Sequence, residues 1–266
     1  MANTFESECS ELNALESWHR AASAAVPGFD WQLKRIGDAV CSLSSSEPSI
    51  LFNRVLELGS AGEPELEQLI RIREFYTAAG IARFFLHVAP WRKSENTEEH
   101  LTQAGYEKYR GWMKFKRATG EPPKVRSDLE VRRIGPDRAS DFAAIAGPAF
   151  GLQASSQPVL AAIVGATDYQ AFMSFDGSKA AGTGVVFIDH DVAVLDWGAT
   201  HPDFRRRGGQ TAVLAARIRA AEEAGCERVY TMTGEAVPGD PQHSCSNIQK
   251  TGFSEAYLRE NWIPGC

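Results

Sequence analysis

The chain has 266 residues, of which 43% are hydrophobic and 23% charged, as in an ordinary folded globular protein. These values exclude a disordered or fibrous protein, and no apolar run approaches the roughly 20 residues of a membrane-spanning helix. A formal net charge of −6 gives no general attraction to nucleic acid or to an anionic membrane, so we expect neither as a partner.

The N-terminal segment and the cysteines indicate the compartment. Residues 1–8 lack a basic stretch followed by an apolar one, which predicts no secretory signal and a cytoplasmic protein. The cysteines form no C-x-x-C pair and have no histidine at a zinc-ligand spacing, so we expect five reduced thiols and no metal: Cys9, Cys41, Cys226, Cys245 and Cys266. A nucleophilic role for Cys245 stays open because His243 lies two residues before it.

In the first half, a helical pattern begins near residues 61–67 and ends at Gly80, after which an apolar strand follows. Further on, Gly105 begins a stretch that ends at Trp112. Residues 118–127 then combine glycine, a proline pair and charges, which is typical of an exposed linker.

The second half predicts a mixture of strands and helices. Residues that alternate, or that are rich in β-branched and aromatic side chains, predict strands, and apolar residues on one face predict helices. In chain order we expect a strand at 129–134, helices at 137–150 and 158–165, strands at 169–175, 180–188 and 192–199, a helix at 210–223 and a strand at 228–233. Asp176-Gly177 predicts a tight hairpin between two of these strands.

The two halves contain an internal repeat. The segment around Gly80 parallels that around Gly225, and Gly105-Tyr106 parallels Gly252-Phe253, at offsets of 145 and 147 residues. Two matches at nearly one offset indicate a duplicated unit. We therefore predict domains at 1–121 and 122–266, which meet in the linker.

One turn of the second half carries the chemistry. Residues 201–211 follow a strand, hold three consecutive arginines and two glycines, and lead into a helix. The first turn of a helix has unpaired N–H groups and a partial positive charge, to which the arginines add full charges. This pattern predicts an anion site of the kind that holds a pyrophosphate, although a solvated basic turn is the alternative.

Here the sequence resembles the GCN5-related N-acetyltransferase (GNAT) family. Arg205-x-x-Gly208-x-Gln210 fits all but the last place of the family signature Arg/Gln-x-x-Gly-x-Gly/Ala, and residues 201–204 resemble its usual lead-in. Gly252-Phe253, after a helical segment, resembles the start of the family's next strand. The resemblance implies two tandem GNAT-like domains, α/β in class, each a mixed and mostly antiparallel sheet flanked by helices.

The resemblance also implies that the second half binds acetyl-CoA. The turn would hold the pyrophosphate, and the end of the preceding strand would hold the pantetheine arm: Gly198, Ala199, Thr200, Arg205, Arg206, Arg207, Gly208, Gly209, Gln210 and Thr211. Asn247 of the final helical segment would hydrogen-bond the pantetheine or else hold the loop. Gly198 suits a strand bulge, or else is a packing glycine. Gln210 replaces the small residue expected, which matters only where its side chain points at the phosphate.

The first half looks like a degenerate copy. Where the second half has arginines it has Glu63, Glu65 and Glu67, which suit a helix start but repel a pyrophosphate. Pro64 also removes one N–H donor. We expect this half to lack the cofactor and to cover the acceptor side of the active site.

Acyl transfer to an amine needs a general base, and the candidates are Asp196 on the strand before the turn and Glu235 after the following strand. Because side chains alternate along a strand, Asp196 shares a face with Gly198 and Thr200. An ion pair or turn contact is the alternative for Asp196, and a solvated loop position is the alternative for Glu235. The family's tyrosine acid corresponds to Ile248, which has no proton to give. Tyr257 and Tyr230 are possible substitutes, although core packing is the better interpretation of Tyr230.

The predicted function is that of an N-acetyltransferase that uses acetyl-CoA and a small-molecule or peptide amine, as a monomer or homodimer without a metal. Two alternatives stay open. One is an acyltransferase that takes a longer chain from CoA or a carrier protein. The other, motivated by the missing tyrosine, is a non-catalytic acyl-CoA-binding sensor.

Overall fold

The computed structural model describes residues 5–265, so the first four residues and Cys266 lie outside the described part of the chain. Within that part, no helix combines the length and apolar character needed to cross a membrane. The other four cysteines, Cys9, Cys41, Cys226 and Cys245, are free thiols, as predicted.

The described residues form helices and strands in alternating groups. The helices are α1 (Phe5–Ala25), α2 (Leu66–Ala78), α3 (Thr97–Gln103), α4 (Ala139–Ala149), α5 (Gln157–Ala161), α6 (Gly209–Glu223) and α7 (His243–Lys250). The strands are β1 (Gln32–Ile36), β2 (Ala39–Leu43), β3 (Arg54–Leu56), β4 (Phe85–Val88), β5 (Tyr106–Ala118), β6 (Glu130–Ile134), β7 (Tyr169–Asp176), β8 (Lys179–Asp189), β9 (Val192–Thr200), β10 (Arg228–Gly234) and β11 (Ser254–Pro264). The elements predicted for the second half are confirmed, and the predicted hairpin joins β7 to β8 at Gly177.

The structure has two compact units, and neither is one continuous stretch of the chain. The C-terminal unit contains residues up to Pro27 together with Lys114–Ala256, so helix α1 belongs to it. The N-terminal unit contains Gly28–Met113 and the chain from Tyr257 onward. The boundaries fall inside β5 and β11, because each of these long strands contributes to both units, rather than at the linker near residue 122.

The C-terminal unit is a mixed sheet with the strand order β5–β10–β9–β8–β7–β6. The pairs β6–β7, β7–β8 and β8–β9 are antiparallel, whereas β9 and β10 are parallel and are connected through α6. Helices α4 and α6 pack on β8 and β9, and α1 packs on β9 and α5. This is a mostly antiparallel sheet flanked by helices, as the fold class predicted.

The N-terminal unit has the strand order β1–β2–β3–β4–β11–β5. Its parallel pair is β3 and β4, which α2 connects, and the remaining registered pairs are antiparallel. Tyr76 of α2 anchors the core, because its ring stacks on Phe84 at 3.8 Å and its hydroxyl donates to the carbonyl of Ser42.

The repeat seen in the sequence is visible in the order of elements. The series β3–α2–β4–α3–β5 has the same order as β9–α6–β10–α7–β11, and left-handed glycines follow corresponding helices at Gly80 and Gly225 and at Gly105 and Gly252. The two copies also exchange strands. Residues of β11 pair antiparallel with β4 in the N-terminal unit, and the end of β5 lies beside β10 in the C-terminal unit.

Candidate functional site

A cleft opens between the two parallel strands of the C-terminal unit. Their register runs from Arg228 opposite Val192 to Tyr230 opposite Val194 and ends there, although β9 continues to Thr200 and β10 to Gly234. Just beyond that point the hydroxyl of Thr231 on β10 donates to the carbonyl of Leu195 on β9 at 3.0 Å. The backbone ladder between the two strands therefore ends before Gly198, Ala199 and Thr200. The segment of β9 that was predicted to hold an extended arm lies along this opening.

A β-bulge shapes the β9 side of the cleft. Val185 of β8 faces Asp196 and Thr183 faces Ala199, so that the single residue between them opposes both Trp197 and Gly198. Trp197 has a φ of 53°, a left-handed conformation that is strained for a large side chain. The bulge predicted for Gly198 is therefore present. The packing interpretation of this glycine also holds, because a Cβ there would lie 2.5 Å from Nε2 of Gln210.

Arg217 of α6, for which the sequence pattern predicted no role, lies beneath the bulge. Its side chain is buried, and Nη1 donates to the carbonyl oxygens of Asp196 at 3.0 Å and Val185 at 3.1 Å. Burial lowers the pKa of the guanidinium to about 10, since the charged form loses its hydration. The spacing of this arginine in the sequence could have indicated that it is buried. Arg217 falls between Val213 and Ala221 on the apolar face of the helix.

The turn before α6 has the geometry of an anion site. Gly208 caps the helix with a φ of 76°, and a Cβ there would lie 2.1 Å from the carbonyl oxygen of Arg126, so that only glycine fits. The first backbone hydrogen bond of the helix runs from the N–H of Ala212 to the carbonyl of Gly208. The N–H groups of Gly209, Gln210 and Thr211 therefore lie at an open helix start, where the dipole favours an anion.

The three arginines of this turn have different environments. Arg207 is held by two carboxylates, with its Nε 2.9 Å from Asp128 and its Nη1 2.9 Å from Asp176. These hydrogen bonds raise the pKa of Arg207 and lower that of both carboxyl groups. Arg205 and Arg206 are exposed and have no ion pair within the described residues. The turn thus offers two available cations, whereas Arg207 fixes it to the neighbouring strands.

Gln210, which departs from the family signature, turns its side chain toward β9. Its Oε1 accepts a hydrogen bond from the hydroxyl of Thr200 at 3.3 Å. The amide therefore lies over the strand instead of projecting from the helix start, so the substitution leaves the open N–H groups accessible.

The candidate bases lie at the cleft or at its end. Asp196 is partly exposed, and its Oδ1 accepts the N–H of Trp197 at 2.7 Å. The bulge lies between Asp196 and Ala199, within the stretch of β9 over which Asp196 was predicted to share a face with Gly198 and Thr200. Glu235 is partly exposed and follows the last residue of β10 directly. Asn247 lies partly exposed on α7, next to the buried Ile248.

The possible substitute acids have other roles. Tyr230 is buried, and its hydroxyl donates to a carboxylate oxygen of Glu6 at 2.6 Å. Burial and this carboxylate raise the pKa of the phenol, which supports the structural interpretation. Tyr257 belongs to the N-terminal unit, where its ring lies 4.6 Å from that of Trp91.

Cys245 does not have the properties of an activated nucleophile. Burial, together with the charge of Glu255, raises the pKa of its thiol, which favours the protonated form. Within residues 5–265, no group of three or more histidine, cysteine, aspartate or glutamate side chains is placed to hold a metal ion.

Helix α1 contributes a buried ionic cluster that the sequence analysis missed. Lys114 of β5 forms a short ion pair with Glu11 and lies 3.6 Å from a carboxylate oxygen of Glu8, and all three side chains are buried. The charges were visible in the sequence, but the two glutamates lie more than 100 residues from the lysine. Their pairing depends on the tertiary fold.

In the corresponding turn of the N-terminal unit, a carboxylate of the same unit accepts a backbone N–H group. Helix α2 begins at Leu66, inside the predicted segment, and the carboxylate of Asp38 accepts the N–H of Ala61 at 2.9 Å and the amide of Gln68 at 2.7 Å. The adjacent pocket of about 600 Å³ is mainly acidic, lined by Asp38, Glu63, Glu65, Glu67, Arg71 and His100 among others. An internal carboxylate thus holds an N–H group of this turn.

Comparison with known proteins gives a consistent result. Residues 141–253 match the family model described as Acetyltransferase (GNAT) family. Among curated proteins, none matches the sequence. The chain is similar to the solved structure of a GCN5-related N-acetyltransferase from Kribbella flavida, with a TM-score of 0.63, 16% identity and coverage of 92% of this chain and 94% of that chain.

Two further solved structures extend the likeness over both units. One is a tandem GNAT protein from the clavulanic acid biosynthesis pathway, with a TM-score of 0.60, 14% identity and coverage of 98% and 95% of the two chains. The other is a putative acetyltransferase from Novosphingobium aromaticivorans, with a TM-score of 0.51, 12% identity and coverage of 95% and 99%. At these identities the likeness shows the fold.

Proposed function

Because residues 141–253 belong to the acetyltransferase (GNAT) family, we propose that the chain is an N-acyltransferase that transfers an acetyl group from acetyl-CoA to a primary amine. The observation that supports this most is the combination, within one unit, of a cleft between parallel strands and an open helix start next to it. The first suits an extended thioester arm, and the second suits a pyrophosphate.

The turn is the proposed phosphate site. Backbone N–H groups of Gly209, Gln210 and Thr211 would hold the pyrophosphate, and the exposed Arg205 and Arg206 would add charge-assisted hydrogen bonds. Arg207 would contribute by holding the turn in place through its two carboxylates. Arg205 and Arg206 are exposed and Gln210 and Thr211 are partly exposed, whereas Gly209 is buried, so the proposed contacts depend most on the first four residues named.

The edge of β9 is the proposed site for the pantetheine arm. Backbone groups of Gly198, Ala199 and Thr200 lie beyond the last registered pair with β10 and would hydrogen-bond the arm as a neighbouring strand would. Asn247 of α7 would add a side-chain amide.

Acetyl-CoA supplies an activated carbonyl, and the protein has to remove a proton from the acceptor so that its amine is neutral. Asp196 and Glu235 are the proposed general bases, since a carboxylate at the cleft accepts the ammonium proton directly or through water. Ile248 has no proton for the departing sulfur, so the proton released by the attacking amine is the proposed source. The acceptor is a small-molecule or peptide amine.

A titration calorimetry experiment with acetyl-CoA tests the proposal. We expect one molecule bound per chain, and a loss of at least tenfold in affinity when Arg205→Glu and Arg206→Glu are combined. Arg71→Glu is the matched control, because it reverses an exposed charge beside the acidic pocket of the N-terminal unit. Absence of binding to the wild-type protein would refute the proposal, and two molecules per chain would refute a cofactor-free N-terminal half.

Ile248 favours a second candidate, a sensor that binds acyl-CoA without turnover. The side chain at the family's tyrosine position is 5% exposed and apolar, so it contributes no proton. Release of free CoA in the presence of an amine panel separates the two functions. An enzyme releases CoA with at least one amine, whereas a sensor binds acetyl-CoA and releases none with any of them.

A further inference from the structure

Side chains of helix α1 contact both strands that border the cleft. Near its beginning, Glu6 accepts the hydroxyl of Tyr230 and pairs with Arg228 at 2.6 Å, so it is fixed to β10. Farther along, the ring of Trp18 lies 5.1 Å from that of Trp197 on β9. At about 1.5 Å per residue, these two attachments are roughly 18 Å apart along the helix. The helix therefore runs from the registered part of β10 to the bulge of β9.

Trp18 is held firmly in this position. Its side chain is 2% exposed, and its indole N–H donates to the carbonyl of Val159 at 2.8 Å. The ring of Phe150 lies 4.9 Å from Trp197, so three aromatic rings pack together behind the bulge. Aromatic rings in edge contact form a dense wall with little free volume.

The wall lies on the side of β9 away from the phosphate site. The Cβ direction of Gly198 points toward Gln210 of α6, whereas the ring of Trp197 points toward α1. A donor whose phosphates are held at the start of α6 would run along the strand edge and bring its acyl end to the bulge. The side chains that pack behind the bulge on that face are those of the aromatic wall.

We propose that Trp18, acting through Trp197, restricts the donor to a short acyl group, with acetyl preferred. This inference rests on the proposed function and gives it a determinant outside the region that the family model matches. Because α1 precedes the N-terminal unit in the chain, the choice of donor would depend on a segment that the repeated elements do not include.

Competition binding with acetyl-, butyryl- and hexanoyl-CoA tests this. We expect the wild-type protein to bind acetyl-CoA at least tenfold more tightly than hexanoyl-CoA. In Trp18→Leu we expect butyryl-CoA to gain about tenfold relative to acetyl-CoA, since each newly buried methylene is worth roughly fourfold in affinity. Trp31→Leu is the control, because Trp31 is a buried, hydrogen-bonded tryptophan of the N-terminal unit and its loss should leave the preference unchanged.

Phe150→Ala is the second variant for the case in which Trp18→Leu does not fold, because it opens the same space from the end of α4. A wild-type protein that binds hexanoyl-CoA as tightly as acetyl-CoA would overturn the inference and leave the acyltransferase function intact. An unchanged preference in both folded variants would do the same. A wild-type protein that binds no acyl-CoA would overturn both the proposed function and the inference.

Discussion

Adding one methyl group at Gly184 tests the packing of Arg217 beneath the bulge. In Gly184→Ala, the new Cβ would lie 2.7 Å from Cζ of Arg217, 2.8 Å from its Nε and 2.9 Å from Cγ1 of Val213. All three atoms are buried, and the guanidinium is tied to two backbone carbonyls, so it has little room to move. Overpacking of this kind costs about 1–3 kcal/mol, and we expect about 2 kcal/mol in the free energy of unfolding.

Urea denaturation followed by circular dichroism measures this cost, and a double-mutant cycle assigns it. In an Arg217→Met background the same glycine substitution should cost less than about 1 kcal/mol, because the flexible thioether adapts to the methyl group. Gly165→Ala is the control, since a Cβ there would meet no atom within 4 Å, and it should change stability by no more than about 0.5 kcal/mol. An equal cost of Gly184→Ala in both backgrounds would refute the assignment to Arg217.

Two further predictions concern buried and hydrogen-bonded charges. Lys114→Met removes the cation beside two buried glutamates, and we expect the free energy of unfolding at neutral pH to fall by about 3–5 kcal/mol in urea denaturation. A protein that carries both Lys114→Met and Glu11→Gln should recover part of this loss, because one of the two unpaired charges is removed. Burial alone would raise the pKa of Asp30, but hydrogen bonds from residues 44–46 outweigh it and lower the value to about 2. Because the unfolded pKa is near 4, this stabilisation is fully present above pH 4 and is lost as pH falls through about 2. With solvent screening it amounts to roughly 1 kcal/mol, so wild type and Asp30→Asn should differ at pH 5 and converge at pH 2, and a constant difference would contradict the assignment.

The parts of the fold that depend on local pattern could be predicted from the sequence. Gly80 and Gly225 end helices in the two halves, and the hairpin at Gly177 and the glycine cap of α6 are also set by single glycines. Because these signals are local, the order of helices and strands could be predicted from the sequence. The bulge at Gly198 was expressed in the sequence as a glycine within a strand. Such features follow from the conformations that single residues allow.

The features that depend on distant partners could not be predicted. The three arginines of the turn form one charge cluster in the sequence, but Arg207 is paired with Asp128, which lies just before β6, and with Asp176 at the end of β7. In the same way, the pattern of α1 shows which residues are apolar but not that Trp18 packs against Trp197. Sequence periodicity identifies a buried face, whereas the partner of that face is set by the topology.

The exchange of strands between the two copies has a consequence for synthesis. In the N-terminal unit, β11 lies between β4 and β5, so the sheet has a gap until residues 257–264 arrive. While the ribosome makes the intervening residues, β4 presents an open edge of apolar strand, which is the surface that promotes misassociation between chains. The sheet of the N-terminal unit, which starts at β1, is therefore completed only after the C-terminal unit has been synthesised through Ala256, so the N-terminal unit does not mature ahead of the rest of the protein.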